Sequence, residues 1–300
     1  MQNVRSGLTI ALCVLGAMSA MSAMPSVARP ETPVRRTQSA PDVRTGGFLL
    51  GCQAWCFHRY TVLEAIEKTA QAGGKTIEFF PGQAFSPERR EVRLGPETPD
   101  DVLDAVKAHL TKYGIKPVAF GVTGLSKDEK QTRAVFEFAK KMGIGVINTE
   151  CDADAMETVE KLVKEYDIKV GIHNHPRQQN NPGYRHWDPN FILSLVKNRD
   201  RRIGACADMG HFVRSGIKPL DALRILEGRI VASHLKDLNE FAPGAHDVPY
   251  GTGVSDIRAI LTEFRRQKFE GPISVEYEHN WESSVPEIAQ CIGFVRGFGK

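Results

Sequence analysis

Glu150, Asp208, His234 and Glu276 are the residues of this sequence best placed to do chemistry together, because each closes or nearly closes a short apolar run. Glu150 ends Val-Ile-Asn-Thr-Glu, and a second run ends in His173-Asn-His175-Pro. Three more end in Asp208-Met-Gly-His211, His234-Leu-Lys236-Asp237 and Glu276-Tyr-Glu278-His279. Carboxylates gathered in one place repel and raise one another's pKa unless a cation neutralises them. Two or three carboxylates with one or two neutral imidazoles form a mostly oxygen donor set that suits Mn²⁺, Mg²⁺ or Co²⁺, and Zn²⁺ is admitted by the same donors.

Such a set needs strands that end on one rim. From Phe48 onward the sequence repeats a β-branched run, a turn and a stretch with apolar residues at helical spacing, eight times over. The strands are predicted at 48–55, 75–80, 116–122, 144–150, 168–175, 203–209, 230–237 and 272–278. Between them lie amphipathic segments such as 61–72, with Val62, Leu63, Ile66 and Ala70 on one face, and 154–166, with Met156, Val159, Leu162 and Val163. Gly73, Gly114, Gly143 and Gly228 stand where left-handed helix caps would precede the next strand. Strict alternation predicts a parallel sheet, and eight units in roughly 250 residues predict one closed (β/α)8 barrel, whose chemistry sits at the C-terminal ends of its strands. An open doubly wound sheet would need a glycine-rich phosphate turn after an early strand, and Gly51-Cys-Gln-Ala54 offers none.

The chain has 300 residues, 41% hydrophobic and 25% charged, which excludes a disordered or mainly membrane-embedded protein. Thirty-nine Lys plus Arg against 36 Asp plus Glu give +3, with no basic patch, so no nucleic-acid partner is expected. Residues 1–28 read as a secretory signal: Arg5, an apolar run over 8–15, and Ser26-Val27-Ala28 as a small-x-small cleavage site. Gly16, Ser19 and Ser22 break that run too early for a spanning helix, although a retained anchor is the alternative. Export after cleavage near Ala28 is the expectation, followed by a flexible leader over 29–47 and a single barrel domain over 48–300. Cys52, Cys56, Cys151, Cys206 and Cys291 remain, an odd number, and are expected to be buried free thiols.

Each candidate has a plainer reading beside its chemical one. Glu78 reads as a helix cap or ion-pair partner, and Asp208 with His211 can form a capping pair. His173 and His175 alternate, so only one should point into the barrel. Lys236 serves either the mouth or a rim ion pair to Asp237. Cys206 shares the strand face of Asp208, as a ligand or as a small buried residue. Trp55, Phe57 and Trp281 offer a stacking wall or ordinary core, and Gly251-Thr-Gly253 reads as a mobile or substrate-approaching loop. His58, His109, His186, His246 and His279 are given no role in metal binding.

Gly171-Ile-His-Asn-His-Pro176, Ala207-Asp-Met-Gly-His211, Ser233-His-Leu-Lys-Asp237, Gly251-Thr-Gly253 and Ile273-Ser-Val-Glu276, in this order, resemble the sugar phosphate isomerase/epimerase family with the xylose isomerase-like TIM barrel. The resemblance covers essentially the whole folded region. It implies a divalent metal, often Mn²⁺, held by carboxylates and a histidine, with Asp208, His234 and Glu276 as ligands on strands six, seven and eight. The 26 residues from Asp208 to His234 are similar to the spacing in ketose epimerases. Ketose 3-epimerases carry a metal-binding glutamate on strand five, where His175 stands here, so Glu150 and His175 complete the candidate metal ligands. Glu150 or Glu276 is then the base that makes an enediolate, with His211 and Lys236 protonating or holding the oxyanion.

Trp55, His173 and Trp281 are the expected sugar contacts. Export favours a non-phosphorylated keto-sugar or oxidised glycoside, and the expected activity is isomerisation or epimerisation with Mn²⁺ preferred. A 3-keto-glycoside lyase and a non-catalytic sugar-binding barrel are the alternatives. A homo-oligomer is compatible with this reading. The apurinic-site endonuclease class shares the barrel and the Asp-x-x-His of 208–211, but it needs histidines on strands two and three, where Phe79-Phe80 and Gly121-Val122 stand.

Overall fold

The computed structural model of the protein describes residues 43–299, so the predicted signal over 1–28 and most of the leader lie outside the described residues. Eight strands close into a parallel barrel: β1 (Leu49–Gln53), β2 (Thr76–Phe79), β3 (Lys116–Thr123), β4 (Val146–Thr149), β5 (Lys169–His173), β6 (Ile203–Asp208), β7 (Ile230–Leu235) and β10 (Pro272–Val275). They neighbour one another in sequence order, and β10 closes on β1 with Leu49 to Cys52 opposite Pro272 to Val275. All eight coincide with predicted runs.

The helices form because the apolar face, caps and terminators agree. α1 (Val62–Gln71) opens on a capping box between Thr61 and Glu64. α3 (Glu129–Met142) is capped by Asp128 and ends at Gly143, whose positive φ of 69° is the predicted left-handed cap. α2 (Asp100–Tyr113) ends the same way on Gly114. α4 (Met156–Tyr166), α5 (Pro189–Val196), α6 (Met209–Arg214), α7 (Pro219–Ile225), α8 (Ile257–Arg266) and α9 (Val285–Phe298) complete the outer layer. Between strands and helices runs one core, with Ile66, Phe136, Val159, Leu162, Phe264 and Ile292 packed on Ile77, Ile147, Ile172 and Ile273.

Three features depart from the expectations. The predicted leader ends in ordered chain: Thr45 is buried and exchanges both backbone hydrogen bonds with Phe48, at 2.8 and 3.0 Å, and Gly46 O accepts from Arg265 at 3.1 Å, so residues 45–47 form a turn packed just before β1. A short antiparallel hairpin of β8 (Asp237–Leu238) and β9 (Asp247–Val248) follows β7 and was not foreseen. Lastly, β4, β5 and β10 stop just short of Glu150, His175 and Glu276, which therefore escape strict strand alternation. The five described cysteines are buried and unpaired, as expected. No helix among the described residues is long and apolar enough to cross a membrane.

Candidate active site at the barrel mouth

Asp208, the last residue of β6, divides its carboxylate between two tasks. Oδ1 accepts the His211 backbone N–H at 2.7 Å and caps α6. Oδ2 points into the mouth, 3.7 Å from His173 Nε2 and 3.8 Å from His234 Nδ1. Asn174 fixes this position by accepting from Asp208 N at 2.8 Å and donating to Asp208 O at 3.0 Å. Glu276 Oε2 lies 3.1 Å from His234 Nδ1, and His173 Nε2 and His234 Nδ1 are 3.1 Å apart. Four donor atoms from β5, β6, β7 and the end of β10 thus converge within 4.8 Å of one another, all on buried residues. Two of them, Asp208 Oδ2 and Glu276 Oε2, are buried carboxylate oxygens that the Lys236 ammonium meets at 3.1 and 2.7 Å, a negative charge that a divalent cation would share in neutralising.

His234 is oriented from behind. Its Nε2 lies 3.0 Å from Glu78 Oε2, which also accepts from Ser274 Oγ at 2.8 Å, while Glu78 Oε1 accepts from Asn148 Nδ2 at 2.7 Å. A carboxylate on one imidazole nitrogen fixes the tautomer and presents the lone pair of the other, the usual support of a histidine that ligates a metal. The donor set and this backing fit a divalent cation. Burial opposes charge on His234, but the carboxylates of Glu78 and Glu276 push its pKa well above the ordinary range. Without a metal, protons on imidazoles thus offset part of the clustered negative charge. The Cys206 thiol itself is pushed up to about 11 by burial and stays protonated.

Lys236 supplies the fixed positive charge. Its Nζ is buried, 3.1 Å from Asp208 Oδ2, 2.7 Å from Glu276 Oε2 and 2.9 Å from Glu278 Oε2. Against the burial that would neutralise it, these carboxylates hold its pKa well above the ordinary lysine range. Asp208 and Glu276 are in turn held low, against their own burial, by Lys236 and His173 in the first case and by Lys236 and His234 in the second. The stem of Lys236 lies so close to α6 that a Cβ on Gly210 would meet its Cβ and Cδ at 2.7 Å. Behind it, Arg214 bonds Glu278 at 2.6 Å, Asp247 at 3.0 Å and His211 Nδ1 at 3.2 Å. Burial, reinforced by the charges of Lys236, His175 and His173, keeps His211 neutral.

A second group adjoins the first through His173. Glu150 Oε1 lies 2.6 Å from His175 Nδ1, 2.7 Å from Tyr184 Oη and 3.8 Å from His173 Nδ1. Burial would raise the Glu150 pKa, but hydrogen bonds from His173, His175 and Tyr184 hold it well below the usual carboxylate range. Above the cluster opens a pocket of ≈ 390 Å³ whose lining includes Gln53, Trp55, Phe80, His175, Glu276 and Glu278.

Residues 66–295 match the xylose isomerase-like TIM barrel family. The chain belongs to that family. An uncharacterised protein from Parabacteroides distasonis is 33% identical to this xylose isomerase-like barrel, over 83% of this chain and 98% of that one, with a TM-score of 0.67. Two enzymes share the fold at lower identity. The 3-keto-D-glucoside 4-epimerase of E. coli is 14% identical over 83% of this chain and 99% of its own, at a TM-score of 0.62. A D-psicose 3-epimerase is 15% identical over 83% and 96%, at 0.60. No curated protein sequence matches the chain.

In this xylose isomerase-like barrel the predicted donors fall into two groups: Asp208, His234 and Glu276 with His173, and Glu150 and His175 again with His173. His173 was expected against the sugar, yet it is fully buried among the donors. The alternation expected of His173 and His175 fails, their rings being 4.6 Å apart, because β5 ends at His173 and the chain turns. Trp55, 38% exposed, lines the pocket, whereas Phe57 belongs to the core. Trp281 stands one ring back, edge-on to His58, which stacks on Trp55.

Lys236 does not pair with Asp237. Asp237 instead accepts the backbone N–H groups of Gly251, Gly253 and Ser255 at 2.8 to 3.0 Å, so the predicted mobile loop is clamped. The sequence reading of Glu78 as an ion-pair partner fits its 3.0 Å contact with His234 but not its place behind the donor cluster, and Glu278, Arg214 and Tyr184 were given no role. A carboxylate inside the apolar run Thr76-Ile-Glu-Phe was a readable signal for Glu78; Tyr184 sits in an irregular stretch without any.

Proposed function

We propose that this xylose isomerase-like barrel is an exported, divalent-metal-dependent isomerase or epimerase of a non-phosphorylated keto-sugar or oxidised glycoside. The observation that carries the reading is the convergence of donor atoms from His173, Asp208, His234 and Glu276 within 4.8 Å of one another, with Glu78 backing His234 at 3.0 Å. These four residues would hold the metal, Mn²⁺ by preference, with Glu78 orienting His234. When bound, such a cation supplies neutralisation of the carboxylates and stabilises the negative charge of an enediolate.

The chain's own groups divide the proton work. Glu276 lines the pocket and is kept ionised by Lys236 and His234, so it can take the carbon-bound proton. His175 faces the same pocket with Glu150 behind its Nδ1, an arrangement that orients an imidazole to return a proton. Glu150 thus acts through His175. Lys236 is buried beneath the pocket, so its part is to hold Asp208 and Glu276 ionised and Glu278 in place, and the buried, neutral His211 positions Lys236 from 3.3 Å. Trp55 and Phe80 give the sugar ring an apolar wall.

A second reading, elimination of the aglycone from a 3-keto-glycoside, is favoured by the imidazole wall itself. Epimerisation uses a base on each face of the carbon, whereas elimination needs one base and one proton donor to the leaving oxygen. Incubating the Mn²⁺-loaded protein with ketoses and 3-keto-glycosides in D₂O separates the two. Solvent deuterium entering recovered and epimerised sugar supports the first, release of aglycone without it supports the second, and neither outcome leaves only a sugar-binding barrel. For export, the mature N-terminus of the secreted protein is expected at Arg29.

A further inference from the structure

We infer that the mouth carries a second sugar subsite beside the first, and that the substrate is therefore a glycoside whose second ring is itself a sugar rather than a free monosaccharide. This rests on the proposed keto-sugar chemistry for the ring above Glu276. A cleft of ≈ 470 Å³ opens among the loop at 177–182, the end of α6 and the hairpin loop at 241–243, lined by Arg177, Gln178, Gln179, Arg214, Phe241 and Pro243 among others. It matches in size the ≈ 390 Å³ pocket over the cluster, and each lies in the range of pockets that take small organic ligands. The two share a wall: Glu278 lines the first, Arg214 lines the second, and their side chains meet at 2.6 Å.

The lining has the composition that a sugar ring requires, an apolar face with polar groups at its edge. Phe241 is 46% exposed, and with Trp55 at 38% it is one of two large exposed aromatics among the described residues, one in each compartment. An aromatic ring gives a large, rigid apolar surface at low conformational cost. Gln178, Gln179 and Arg177 carry donors and acceptors suited to hydroxyl groups.

The cleft is also preformed, which lowers the cost of binding. Arg177 N donates to Ser215 Oγ at 3.0 Å, Ser215 Oγ donates to His211 O at 2.7 Å, and Arg214 Nε donates to Ala245 O at 3.0 Å. The Arg177 guanidinium rests 4.6 Å over the Trp187 ring. The far wall of this cleft is thus tied by hydrogen bonds to His211, beneath the first compartment.

The test is calorimetric titration of the full Mn²⁺-loaded chain with two probes, a methyl 3-keto-glucoside and a 3-ketoglucosyl-glucose disaccharide. The disaccharide is expected to bind at least tenfold more tightly. Phe241→Ala should abolish that advantage and leave the methyl glycoside unchanged, while Phe241→Trp should keep it. Equal affinity for both probes in the unaltered protein, or equal weakening of both in Phe241→Ala, overturns the subsite and leaves the first compartment standing. Binding of neither probe overturns the keto-sugar reading itself, and the subsite with it.

Discussion

Replacing Glu78 with alanine tests the backing of the cluster without touching any of its four donor atoms. The carboxylate accepts three buried hydrogen bonds, from Asn148 at 2.7 Å, His234 at 3.0 Å and Ser274 at 2.8 Å. A buried donor left without an acceptor costs about 1–3 kcal/mol, which bounds the loss at roughly 3–9 kcal/mol. The Ser274 hydroxyl can turn to another acceptor and water can enter the space, so about 3 kcal/mol of folding stability is expected to go. Metal affinity should fall separately, because His234 loses the partner that fixes its tautomer, and such losses run about 10- to 100-fold, or roughly 1.4–2.8 kcal/mol. Denaturant unfolding and Mn²⁺ calorimetry on the same sample read both effects. Glu78→Gln, which keeps the volume and one acceptor, should fold with stability close to the parent yet still bind Mn²⁺ more weakly. A folded Glu78→Ala protein that binds Mn²⁺ with the parent's affinity would refute the reasoning.

Other perturbations follow from the same geometry. Asp208→Asn keeps the oxygen that caps α6, so unfolding should shift by about 1 kcal/mol or less while calorimetric Mn²⁺ binding disappears; a large stability loss with binding intact would contradict the division of labour. Lys236→Met leaves Asp208, Glu276 and Glu278 without their buried ammonium, so metal-free protein should lose about 3 kcal/mol or more and recover most of it at saturating Mn²⁺, read as Tm against metal. A Tm loss unaffected by Mn²⁺ would count against a shared charge site. Asp247 is raised to about 7, chiefly by burial and against the pull of Lys236 and Arg214. A carboxyl raised on folding adds stability that is full below its unfolded pKa near 3.8 and is lost as pH rises through about 7. Asp247→Asn should therefore flatten the decline in Tm between about pH 4 and 7, and an unchanged slope would remove Asp247 from that role.

The barrel was legible because apolar runs, helical periodicity and terminal glycines such as Gly114 and Gly143 repeat one message in every unit. Asp208, His234 and Glu276 were legible because each stands at or beside the end of an apolar strand, and barrel geometry sends strand ends to one rim. His173 was misplaced since alternation holds only within a strand, and β5 stops at that residue. Glu78 was set aside as a lone carboxylate, although inside a fully buried strand a charge has no ordinary surface role. Tyr184, Arg214 and Glu278 depend on loop paths and long-range pairing that local pattern does not encode.

The proposed function requires one divalent cation among His173, Asp208, His234 and Glu276. Anomalous diffraction at the manganese edge, from crystals of the full chain grown with Mn²⁺, tests it most directly. A single strong peak is expected within bonding distance of His173 Nε2, Asp208 Oδ2, His234 Nδ1 and Glu276 Oε2, at about 2.0–2.3 Å as nitrogen and oxygen ligands require. No peak at that position, with Lys236 still paired to Asp208 and Glu276, would contradict it.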